Sequence, residues 1–164
     1  MKNIALLIGA GFIGLSLTAF AADEPKKLAP NDLPAKITQT VNARLPGAQI
    51  SSAEKETENG KVVYDLEITQ KNLKYEMDIQ EDGTLIEIEK EVKSPSAAVT
   101  KAVMQKYPDA KIKIVMEVNK VEGKKETPQH YEVTFTTAGK EKEVVVALDG
   151  SSVKEEAEEA PEKK

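Results

Sequence analysis

From Ile37 onward the apolar residues recur first at four-residue spacing, at Ile37, Val41 and Leu45, and then, past Pro46-Gly47, at every second position. The first spacing lays one stripe along a helix, and the second puts alternate side chains on one face of a strand. Pro46 ends the helix, because it has no N–H to donate and disfavours helical backbone in the residue before it. Asn31 and Asp32 read as helix caps and Pro34 as a first-turn residue. Alternation is weak from Ile50 to Glu58. It is clear in Tyr64, Leu66 and Ile68, in Leu73, Tyr75, Met77 and Ile79, and in Ile86 and Ile88. Asn59-Gly60, Lys71-Asn72 and Asp82-Gly83 interrupt it with residues that tolerate a left-handed backbone, so the pattern predicts four antiparallel strands joined by hairpins.

The same order occurs again. An offset of 62 lays Ile37 on Val99, Val41 on Val103, Leu45 on Tyr107, Pro46 on Pro108 and Ile50 on Ile112. Five extra residues then enter the second first-hairpin, and an offset of 67 lays Tyr64-Asp65-Leu66 on Tyr131-Glu132-Val133 and Asp82-Gly83 on Asp149-Gly150. A helix face, a proline break, a strand and an Asp-Gly turn in one order imply a duplication. The expected fold is α+β, two tandem repeats, each one helix packed on a four-stranded antiparallel sheet. Ser94-Pro95 reads as the capped start of the second helix. Repeats this small bury a modest share of their surface, so they are expected to share an interface.

The polar positions of the first repeat's strands are mostly acidic: Asp65, Glu67, Glu76, Asp78, Glu87 and Glu89, relieved mainly by Lys74. If the strands are neighbours, these six make one candidate acidic interaction face, a solvated sheet surface that attracts cations and basic partners by long-range steering. In the second repeat Val145 and Ala147 break the polar face, which marks an apolar patch where the other copy or a partner would pack.

Met1-Lys2-Asn3, the apolar run Ile4 to Leu17 and the small residues of Ala19-Phe20-Ala21 follow the order of a secretory signal peptide cleaved after Ala21. The expected organisation is signal peptide 1–21, linker 22–32, repeats 33–92 and 94–156, and a charged, mobile tail 157–164 whose character begins at Glu155. Gly9, Gly11 and Gly14 match a dinucleotide fingerprint by letter only, since a polar linker follows where a βαβ unit is required. There is no cysteine, so the expectation is a free soluble protein of the bacterial periplasm or beyond, with no membrane association after cleavage. Cleavage removes one of 23 basic residues, Lys2, and none of the 28 acidic ones, taking the net charge from −5 to −6. That balance argues against nucleic acid as a partner.

Catalytic and metal signals are weak. His130 is the sole histidine, which excludes histidine-cluster metal sites and histidine dyads or triads; it reads as a solvent-side strand or turn residue. Asp78 to Glu89 resembles a calcium loop, with Asp-Gly at places five and six and Glu at twelve. Gln80 stands where the motif wants Asp or Asn, however, and the flanks alternate as strands, so a hairpin turn is the better reading. Carboxylate pairs such as Glu87 and Glu89, on an exposed strand, are expected to keep ordinary pKa values and do no acid–base work. No catalytic residue, metal or cofactor is expected.

A helix ending in Tyr107-Pro108-Asp109-Ala110-Lys111-Ile112, the strand Tyr131 to Phe135, the Gly139-Lys140-Glu141 turn and a strand closing on Leu148-Asp149-Gly150 resemble the PepSY-like domains grouped with the β-lactamase inhibitor protein. The resemblance covers both repeats and implies exported bacterial proteins, usually without known activity, built as a helix across an antiparallel sheet. The inhibitor's grip uses an aromatic-rich concave sheet surface. Here Tyr64, Tyr75, Tyr107, Tyr131 and Phe135 all fall on apolar stripes, and Trp is absent while Arg44 is the only arginine, so tight inhibition is not expected. The leading expectation is a non-catalytic binding module acting on another envelope protein or peptide. The alternatives are a protease or hydrolase inhibitor and weak divalent-cation binding through the acidic face.

Overall fold

The structure, a computed structural model, describes residues 25–58 and 60–155; the expected signal peptide, 1–21, and most of the expected tail lie outside them. The elements in chain order are β1 (Lys26–Lys27), a 3-10 turn (Pro30–Asp32), α1 (Ala35–Arg44), β2 (Gln49–Glu58), β3 (Lys61–Gln70), β4 (Leu73–Gln80), β5 (Leu85–Glu91), α2 (Ala97–Lys106), β6 (Lys111–Glu122), β7 (Lys125–Thr137), β8 (Lys140–Ala147) and β9 (Val153–Glu155). Among the described residues the strands form a single antiparallel sheet of nine, ordered along the chain.

One sheet, where two were expected, arises because β5 hydrogen-bonds directly to β6, from Glu87 opposite Lys120 to Glu91 opposite Met116. Joining the two edges removes two unpaired rows of backbone donors and acceptors. Two strands have no counterpart in the sequence pattern. Lys26–Lys27, inside the expected linker, pairs with Glu54 and Lys55, and Val153–Glu155 pairs with β8. Glu155 is thus in a strand, where the charged tail was expected to begin.

Both helices lie on the same face of the sheet. Ile37 and Val41 of α1 pack with Tyr64, Leu66, Ile68, Tyr75, Met77, Ile79 and Ile88. Val99, Ala102 and Val103 of α2 pack with Val115, Val133, Phe135, Val144 and Val146. Each helix closes with the residue before proline donating back to the stripe, Leu45 N to Val41 O at 2.7 Å and Tyr107 N to Val103 O at 2.8 Å. The helix starts differ from the sequence reading. Pro34 occupies the cap of α1 with no side-chain bond, so neither Asn31 nor Asp32 caps it. Ser96, not Ser94, caps α2 by accepting from Val99 N.

The Asp-Gly turns dock on the helices in parallel fashion. Asp82 Oδ1 accepts from Thr84 N and Asp149 Oδ1 from Ser151 N, while Gly83 and Gly150 hold left-handed backbone against α1 and α2. A Cβ on Gly83 would lie 3.3 Å from the Lys36 Cβ, and one on Gly150 would lie 2.7 Å from the Ala98 carbonyl oxygen. Both positions therefore require glycine, for its backbone freedom and for its size. The five extra residues of the second half lengthen the β6–β7 hairpin, whose Val121 is buried in the α1 core and whose Glu126 pairs with Arg44. The two helix cores thus share a clasp as well as a strand pair.

Candidate functional site

Directly opposed residues on antiparallel strands share a face. With Tyr64, Leu66, Tyr75, Met77 and Ile88 turned toward α1, the six acids named from the sequence fall together on the face that no helix covers. Asp65 opposes Asp78, Glu67 opposes Glu76, Glu76 opposes Glu89, and Asp78 opposes Glu87. Glu54 extends the set by opposing Asp65. Opposed side chains sit about 4.5–5.5 Å apart at Cβ, so each pairing sets like charges against one another.

The face is not a solvated one. Glu89 and Glu132 are each only 2% exposed and Glu76 is 8% exposed; Asp65, Asp78 and Glu87 are half-buried, and Glu67 alone of the six is exposed. Val63, Met116 and Val118 are buried on this same face, outside both helix cores. Curvature encloses the group: Ser51 of β2 and Glu143 of β8, near opposite margins of the sheet, line one cavity of about 500 Å³ with Glu67, Glu76, Ile114 and Met116. The sheet is therefore curled about its acidic side, which lies in a hollow.

Burial inside that hollow raises the carboxyls, the reverse of the ordinary values expected for Glu87 and Glu89. Asp65 is pushed up to about 7, first by loss of solvent and then by Glu56 and Glu54. Glu76 rises to about 8 for the same first reason, with Asp65 adding repulsion. Asp78 reaches about 9, with Asp65 and Glu87 as neighbours. Glu87 reaches about 7, opposed by Glu132 and partly relieved by His130. Glu89 is raised by burial and then by Glu132 and Glu76. Among the described residues none of the six is held in an ion pair, and Asp65 Oδ1 and both Glu89 carboxyl oxygens are buried without a hydrogen-bond partner. Lys74 lines the same cavity as Glu67 and Glu76, while its backbone N–H donates to Glu91 at 3.0 Å and its charge acts on Glu91. Lys120, opposite Glu87 in register, turns its ammonium to Glu122 at 2.8 Å.

Other members came only from the fold. Glu132, buried, opposes Met116 and Val145, and His130, half-buried, holds it at 3.3 Å; His130 is therefore part of the hollow's wall and no free solvent-side residue. Val145 and Ala147, expected as an apolar docking patch, oppose Glu132 and His130 on this face. The sequence held the signal for Glu132 and Glu143, since the offset of 67 lays them on Asp65 and Glu76. Asp78 to Glu89 is a plain hairpin, closed by Gln80 N donating to Thr84 O, with Asp78 opposing Glu87 across the strands. All five aromatics of the described chain belong to the helix-side cores, with the Tyr107 and Phe135 rings 4.8 Å apart.

No helix among the described residues is long and apolar enough to cross a membrane. Residues 34–89 match the family described as PepSY, peptidase propeptide and YPEB domain. No curated protein matches the chain. Among solved structures, a Bacteroides eggerthii protein proposed to be periplasmic is similar at 13% identity and a TM-score of 0.53, over 73% of this chain and 84% of its own. A BLIP-like protein from Bacteroides fragilis gives 17% identity and 0.50, over 80% and 94%. A DUF2874 family protein from Bacteroides uniformis gives 12% and 0.51, over 74% and 86%. Helix across antiparallel sheet, a matching family model and these shared folds agree: residues 34–89 are similar to PepSY domains, within a fold the chain shares with BLIP-like and DUF2874 proteins.

Proposed function

We propose that the protein is an exported, non-catalytic binding module that engages another envelope protein or peptide through the hollow side of its sheet. The observation that carries this reading is the asymmetry of the two faces. Both helices cover one, and the other keeps buried, unpaired carboxyls that folding alone would exclude. A catalytic role is not supported, because the six acids lack a partnered base, nucleophile or electrophile set around a reacting atom. Export is supported by the Met1 to Ala21 segment and by a fold shared with a protein proposed to be periplasmic. The matching stripes, proline breaks and docked Asp-Gly turns support the two-repeat layout of one helix and four strands each, produced by duplication.

Immobilised mature protein exposed to envelope extract is expected to retain a specific partner that a variant with an altered hollow releases. Retention by neither form would refute the reading. N-terminal sequencing of exported protein should begin at or next to Ala22, and an intact Met1 in a membrane fraction would refute export. The fold shared with a BLIP-like protein favours one second reading, a hydrolase inhibitor. With every described aromatic turned to the helix cores, inhibition in a standard hydrolase assay is expected to be weak or absent.

A further inference from the structure

The hollow is built against its own stability. Five like-charge pairs oppose one another across β2 to β5, and Glu89, 2% exposed, aims two unpartnered oxygens into the group formed by Glu76, Glu87 and Glu132. An unpaired buried acid is strongly destabilising, and apolar residues of similar volume at these positions would serve folding better. The arrangement becomes favourable once a cation enters.

Two features select the kind of cation. Among the described residues no three acidic or histidine side chains converge as ligands on one point, whereas the acids are spread over four strands. The adjoining cavity of about 500 Å³ has Ile114 and Met116 in its wall, and Met116 directly opposes Glu132; the three lysines that also line it are matched by other acids, Lys113 by Glu141, Lys142 by Glu155 and Lys74 by Glu91. An apolar wall leading to dispersed carboxyls fits a long methylene stem carrying a positive head better than it fits a bare ion. Resting on the binding role proposed above, we infer that the partner presents a lysine- or arginine-bearing segment, with one basic side chain laid along Ile114 and Met116 and its charge set among Glu76, Glu89 and Glu132. Arginine or lysine there would satisfy the orphaned oxygens of Glu89 with charge-assisted hydrogen bonds.

The test is calorimetry of the mature full chain at neutral pH and low salt, titrated with acetylated, amidated hexalysine, with hexaglutamate and calcium chloride in parallel. Saturable binding of hexalysine and none of hexaglutamate is expected. The variant Glu89→Gln with Glu132→Gln, which keeps shape while removing the carboxyls that a bound cation would draw into their charged form, should weaken hexalysine by about tenfold or more, and Glu76→Gln alone by a smaller factor. The control Glu81→Gln with Asp109→Asn removes as many carboxyls from exposed positions outside the hollow and should leave binding within about twofold. Equal weakening by control and hollow variants would overturn the site in favour of diffuse attraction. One-to-one displacement of the peptide by calcium would overturn it in favour of a metal. An envelope partner retained equally by wild type and the Glu89, Glu132 variant would overturn this inference while leaving the binding role standing, and failure of both peptide and extract would remove both.

Discussion

Beneath α1 the helix-free face of the sheet carries Asp65, Glu67, Glu76, Asp78 and Gln80, whereas beneath α2 the corresponding positions carry Glu132, Thr134, Glu143, Val145 and Ala147. The helix sides of the two halves are nearly interchangeable: Ile37 and Val99, Val41 and Val103, and Leu66 and Val133 are all buried against their helix. Packing explains the agreement, because a helix stripe over a sheet admits only apolar residues of about the right volume. The uncovered face is under no such rule, so its composition differs. The first half concentrates charge there, while the second mixes acids with small apolar residues.

The largest expected effect breaks the packed side. Val103→Asp puts an unpaired carboxylate in a fully buried position under α2, a loss of several kcal/mol set against a total of roughly 5–15 kcal/mol. Because β5–β6 pairing and the Val121 clasp couple the halves, a single cooperative transition at much lower urea is expected by circular dichroism. An unchanged melting temperature would show the stripe to be misplaced.

Next comes pH, which addresses the uncovered face of the first half. Asp65 and Glu87 at about 7, Glu76 at about 8 and Asp78 at about 9 all hold their protons more tightly folded than unfolded, where values near 3.8 to 4.5 apply. The folded state therefore binds more protons, and stability must fall as pH rises. The contribution is complete below about pH 4 and is lost on passing through 7 to 9. A tenfold difference in proton affinity between folded and unfolded chain is worth about 1.4 kcal/mol, so even a partial effect from four groups is measurable. Scanning calorimetry at fixed ionic strength should give a higher melting temperature at pH 5 than at pH 9; the opposite order would remove the buried-acid description.

The docked turns separate the halves more finely. At Gly150 an added Cβ would strike the Ala98 carbonyl, whereas at Gly83 it would meet the Lys36 side chain less closely. Both glycines carry positive φ, so each alanine costs about 1–2 kcal/mol in backbone terms, and Gly150→Ala adds a displacement of α2. Denaturant midpoints should drop for both variants and further for Gly150→Ala. Equal drops would mean that the helix yields freely. Smallest of all is Tyr107→Phe. Tyr107, standing where the first half has Leu45, donates its hydroxyl to Glu155, and losing that exposed bond should lower the midpoint only slightly in the same assay.

Much of this was legible along the chain, for reasons of local chemistry. Pro46 and Pro108 end their helices in any context, and Gly60, Asn72 and Gly83 accept the positive φ their turns impose. Period-two alternation is enough to place Asp65, Glu67, Glu76, Asp78, Glu87 and Glu89 on one face. The short strands β1 and β9 were not legible, because Lys26–Lys27 and Val153–Glu155 carry no alternation; they are strands only because an edge of β2 or β8 is there to pair with. Ser96 rather than Ser94 became the cap because the helix starts at Ala97, so that the Ser96 hydroxyl is the one placed to accept from Val99 N.

By itself the sequence determined the helix stripes, the hairpin turns of the first half and the gathering of acids on a single side, since each of these follows from periodicity and turn residues within a few neighbours. Only the tertiary structure decided that one sheet forms instead of two, that it curls toward its acidic face, and that Glu89 and Glu132 end up buried where Glu67 stays exposed. Those outcomes depend on strand twist accumulated over nine strands and on the pairing of β5 with β6, both of which join residues far apart in the chain. Desolvation is set by that curvature, and desolvation is the largest reason these carboxyls hold their protons.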